Sequence, residues 1–132
     1  MTGVKKHIYF RGGAKTVCTS AVLASFGISP DCYHYSGQHE QRASILRRHG
    51  WAVRSRASAF RGCTTVGTLR AAIAKRTQKQ FDPPGTMYMI RLRYGQARHA
   101  ILLDETGSTI VDTDPRTRDR RRVFSVHAVF RK

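Results

Sequence analysis

Cleaving an acyl bond by nucleophilic catalysis needs a thiol or hydroxyl, a base to take its proton, and a group to orient the base. The chain supplies such a set in Cys18, His99 and Asp112. Cys18 lies in TVCTSAVLASFG, residues 16–27, which reads as a helix that Thr16 can cap and Gly27 can stop. That places the thiol in the first turn, where unpaired N–H groups and the helix dipole favour a thiolate, and Lys15 pushes the same way. His99 opens the run HAILL, and Asp112 lies in STIVDTD on the far side of a turn at 104–108. Together they read as a β-hairpin, with Gly107 supplying the positive φ of the turn. Residues two apart on a strand share a face, so His99 goes with Ile101 and Leu103, and Asp112 goes with Asp114. A carboxylate across from an imidazole fixes its tautomer; Asp112 is the first choice and Asp114, next to Pro115 at the strand end, the alternative. Cys63, just ahead of a later helix, is the rival thiol.

The elements that must position these residues follow from the hydrophobic pattern. A short strand is expected at His7–Phe10 and a turn-rich link at 28–35. A second helix runs from Ser36 or Gly37 to His49, with Ile45 and Leu46 inward, Arg42, Arg47 and Arg48 outward, and Gly50 ending it. Trp51 to Val53 starts a strand, and 54–64 is a basic loop. Thr65 to about Arg76 is a third helix with Val66, Leu69 and Ile73 on one face. After a connection at 77–84, GTMYMIRLRY alternates as a strand, with Tyr88, Ile90 and Leu92 opposite Met87, Met89, Arg91 and Arg93. The last strand, VFSVHAVF, sets Val123, Ser125, His127 and Val129 against Phe124, Val126, Ala128 and Phe130. The expected architecture is one α+β domain spanning 1–132, with N-terminal helices packed on a C-terminal antiparallel sheet.

Composition narrows the class. Lys plus Arg is 24 against 8 acidic residues, a net charge of +16, and such a field attracts nucleic acid or acidic proteins. The densest cluster is Arg116, Arg118, Arg120, Arg121 and Arg122, the candidate nucleic-acid contact. No apolar run reaches the length of a membrane span, and the first residues lack the apolar core of a secretory signal, so a cytoplasmic protein is expected. Three cysteines without paired spacing argue for reduced thiols. Cys32, His34 and His39 fall short of a structural zinc set, so no metal is expected.

The order of helix-borne Cys, strand-borne His and then Asp resembles the papain-like cysteine peptidases over roughly residues 10–130. HAILLDETGSTIVDTDP is similar to the His–strand–turn–strand–Asp-Pro segment of the bacteriocin-processing peptidase domains of ABC exporters. The tail from GTMYMIRL to the RRRV strand is similar to small papain-like proteins of phage genomes. The resemblance implies a papain-like fold and a peptidase or amidase acting on a peptide or amide through Cys18, His99 and Asp112, with no organic cofactor. For a phage-encoded protein it implies the host cytoplasm or association with the virion. The sequence departs from the pattern upstream of Cys18, where RGGAKTV has no Gln to help bind an oxyanion. The Cys18 N–H with Arg11, Lys15 or another main-chain N–H would have to serve. The alternative is a non-catalytic basic protein on the same fold that binds nucleic acid or an acidic host protein.

Overall fold

The computed structural model describes residues 22–28, 39–78, 82–94, 97–112 and 119–132. The expected strand at 7–10 and the residues Arg11, Lys15, Cys18, Cys32, His34, Asp114, Arg116 and Arg118 lie outside them. The fold is α+β. A helical segment at 22–25 is followed by helix α1 (His39–Arg48), strand β1 (Trp51–Ser55), helix α2 (Val66–Gln78) and strands β2 (Met87–Tyr94), β3 (Ala97–Leu103), β4 (Thr109–Val111) and β5 (Arg122–Arg131). The five strands form one sheet in the order β1-β5-β2-β3-β4, and every pairing is antiparallel.

Because both faces of this sheet are covered, its strands alternate between two apolar sets rather than between apolar and polar. Met87, Met89, Ala100, Leu102, Val111 and Val129 join Trp51 and Val53 under the segment 22–28 and α1. Tyr88, Ile90, Leu92, Ile101, Leu103, Val126 and Ala128 face α2, which contributes Val66, Leu69 and Ile73. The loop after β1 is pinned to this second layer by Phe60, which meets Tyr88 edge-on at 5.8 Å. On the first layer Trp51 packs edge-on against Phe26 at 4.7 Å while the Arg131 guanidinium covers its ring at 4.2 Å.

Local signals account for the element ends. Gly27, at φ +77°, closes the 22–25 segment as expected: its N–H bonds to Ala24 O at 3.0 Å, and the Ile28 N–H reaches Leu23 O at 3.1 Å. Thr65 and Thr68 cap α2 reciprocally, each N–H bonding the other's hydroxyl. In the β3–β4 turn the Asp104 carboxylate accepts from the N–H groups of Thr106 and Ser108 at 2.8 and 3.0 Å.

Two expected orientations are corrected. Arg42 is not outward but 2% exposed: it sits three and four residues before Ile45 and Leu46, on the same helix face. Phe124 does not share a face with Val126. The register passes from Arg91↔Ser125 to Leu92↔Val123, so a β-bulge skips Phe124. Beyond the bulge the alternation reverses, and Val123 packs in the α2-facing layer. Boundaries also move: β4 spans Thr109–Val111 with Asp112 just beyond it, residues 113–114 of the expected strand lie outside the described residues, and α2 runs to Gln78.

Candidate active site

His99 is set by the β2–β3 ladder, where it stands opposite Leu92. Its Nε2 lies 3.1 Å from Asp112 Oδ1. A carboxylate only accepts, so Nε2 is the donor, and Nδ1 becomes the ring nitrogen with a lone pair to take a proton. Asp112 follows β4 directly and is fully buried. Its second oxygen, Oδ2, takes a 2.7 Å bond from the Arg121 guanidinium, itself buried. The imidazole and the guanidinium thus hold one carboxylate from its two oxygens, in a setting where charge-assisted bonds are strong.

Arg121 is held in turn by the start of α2. The Val66 N–H bonds to Arg121 O at 3.0 Å, and the Gly67 N–H bonds to Asp119 O at 2.7 Å. The first helical donors are therefore satisfied by the 119–121 backbone, which seats the arginine. Arg70, one turn further, ties the same pieces together by bonding Asp119 at 3.1 Å, Gly107 O at 2.7 Å and Thr109 Oγ1 at 2.8 Å.

The structure therefore brings His99 and Asp112 together. Cys18 and Asp114 are outside the described residues. Arg121 leaves the solvent-facing arginine cluster: it is committed to Asp112, while Arg120 and Arg122 are exposed. Sequence reasoning missed this third residue because it stands in a run of identical neighbours. The available signal was the two-residue period that places position 121 with the inward Val123.

Alternation assigns His99 to the α2 side, since Leu92, Ile101 and Leu103 belong to that layer. The segment 22–28, which follows Cys18 in the chain, packs in the other layer. Cys63 is on the α2 side, packed at the margin of that layer, but burial pushes its thiol upward, away from the thiolate. Among the described residues no helix is long and apolar enough to cross a membrane. No protein-family model, curated protein or solved structure matches the chain.

Proposed function

We propose that the chain is a small papain-like thiol hydrolase, a peptidase or amidase, with Cys18 as nucleophile, His99 as general base and acid, and Asp112 as the group that orients His99. The observation carrying this reading is the 3.1 Å contact between His99 Nε2 and a fully buried Asp112 that is also bonded to Arg121. A neutral imidazole held in one tautomer by a buried carboxylate suits proton transfer at Nδ1. The Cys18 Sγ proton passes to His99 Nδ1, and the sulfur bonds to the substrate carbonyl carbon. The oxyanion collapses to a thioester as His99 returns the proton to the departing amine. Water, deprotonated by the same nitrogen, then attacks the thioester and releases the acid and the Cys18 thiol. Asp112 rather than Asp114 takes the third role because it is the carboxylate bonded to His99.

The face shared by Cys63 and His99 favours a second assignment of the nucleophile, and one experiment separates the two. Iodoacetamide at pH 6, followed by peptide mapping, should label Cys18 ahead of Cys32 and Cys63. Hydrolysis of a peptide and amide panel should disappear in Cys18→Ser and persist in Cys63→Ser. Asp112→Asn should slow turnover by ~10²-fold or more, the scale of general acid–base catalysis. Preferential labelling of Cys63, with activity lost in Cys63→Ser, would transfer the role to that thiol. Hydrolysis that survives both serine variants would overturn the thiol mechanism.

A further inference from the structure

One end of the sheet brings like charges into register. Arg93 on β2 is directly opposed by Arg122 on β5 and by Arg98 on β3, a row of three arginines in register across neighbouring strands. Like charges directly opposite one another weaken a sheet, and strands are ~4.8 Å apart, so Arg93 and Arg122 project from backbones only ~5 Å apart. Arg93 and Arg122 are exposed. Beside them the β-bulge re-aims Phe124, which is 45% exposed and is the exposed large hydrophobic side chain among the described residues. Arg91 and Arg93 place their guanidinium carbons 5.2 and 5.6 Å from its ring centroid. Arg93 alternates with Leu92, the partner of His99, so this row belongs to the opposite face of the sheet from the imidazole.

We propose that this end of the sheet binds single-stranded nucleic acid, with the phosphodiester backbone along the opposed arginines at 93 and 122 and a base stacked at Phe124. The opposed cations of Arg93 and Arg122 suit a polyanion. An exposed aromatic ring bordered by guanidinium groups adds the platform that single-strand binders use and that a purely ionic contact lacks. Of the arginines in the run 116–122, Arg121 is committed to Asp112, while Arg122 stands in this row through β5.

The test is fluorescence anisotropy of the whole protein with a labelled 12-nucleotide oligo(dT) and a labelled 12-base-pair duplex, at 50 and 200 mM salt. The oligo(dT) should bind more tightly than the duplex, with a log–log salt slope of about −1.4 for two neutralised phosphates at ~0.7 each. Phe124→Ala should weaken binding roughly 5-fold or more, and Phe124→Trp should keep it, since stacking tolerates a change of aromatic ring. Arg93→Ser and Arg122→Ser should each flatten the slope by ~0.7. These side chains are exposed, and cooperative melts no lower than that of the wild type would confirm folding. Wild-type affinity in Phe124→Ala, or an unchanged slope in both arginine variants, would overturn the proposal. Displacement of the oligonucleotide by polyglutamate at equal charge concentration would overturn it too, showing that charge alone is read.

Discussion

At the scale of single residues, Asp112 is held at both of its oxygens. It is buried with one oxygen on Arg121 and the other on His99, so removing a partner strands a charge away from water. Arg121→Ala is expected to cost about 3–5 kcal/mol in urea unfolding, the range for breaking a buried pair. Arg120→Ala, an exposed neighbour, should change stability by no more than ~0.5 kcal/mol. Equal effects would mean that Arg121 does not carry the carboxylate. His127 presents a different balance. Burial, and then Arg47, Arg42 and Arg91, hold its imidazole below the usual 6.5. The unfolded chain therefore takes up the proton first as pH falls. The stability due to neutral His127 is full above pH 6.5 and drains away as pH drops through 6.5 toward the lowered folded value. Urea midpoints at pH 7.5 and 5.5 should differ more in the wild type than in His127→Gln. Parallel shifts would show that this imidazole does not sense the arginines.

At the scale of elements, the β3–β4 hairpin is joined to α2 by backbone proximity as well as by side chains. Gly107 has φ +84°, and a Cβ there would fall 2.6 Å from Arg70 O. Gly107→Ala therefore meets a left-handed backbone penalty and a collision with a helix that cannot swing aside. A loss of ~2 kcal/mol or more is expected in denaturant unfolding, and with it a weaker hold on Asp112, since Arg70 anchors this turn. A neutral result would mean that the turn can lift from α2. The hairpin itself was legible in the sequence because period-two alternation, Asp104 and Gly107 all point to it. The pairing of His99 with Asp112 was legible for the same reason. The inward face of α2 was equally plain from Val66, Leu69 and Ile73. The bulge at Phe124 was not, because a skipped residue leaves VFSVHAVF looking like an unbroken alternation. The roles of Arg42 and Arg121 were hidden by their chemistry: an arginine is read as solvent-facing until its partner is known. The layering of the sheet between α1 and α2 was also out of reach. Met87 and Met89 are as apolar as Tyr88 and Ile90, so the pattern marks a strand buried on both faces without saying what covers either one.

At the scale of the whole molecule, the acidic side chains and the arginines are used differently. Asp82 holds Arg56 and Tyr88, Asp104 shapes its turn, Glu105 accepts from the Gly85 N–H, Asp112 joins His99 to Arg121, and Asp119 meets Arg70. Each of these carboxylates has a structural task, while Arg47, Arg48, Arg54, Arg61, Arg93, Arg120, Arg122 and Arg131 are exposed. A net charge of +16 on a chain whose compact radius is ~14 Å repels itself. The Debye length is ~30 Å at 10 mM salt and ~8 Å at 150 mM, so repulsion spans the molecule in the first case and only near neighbours in the second. The melting temperature should therefore rise by ~3 °C or more between these conditions, a gain of about 1 kcal/mol for a chain of this size. A fall would mean that attractive ion pairs outweigh the excess charge. The opposed arginines at 93 and 122 give the same argument a local form. Replacing both with Ser should raise the melting temperature at 10 mM salt, and the difference from wild type should shrink at 150 mM as salt screens the row. A variant less stable than wild type at low salt would show that these arginines support the sheet. One more stable there would show that the row is maintained at a cost to folding, as a surface built for an anionic partner would be.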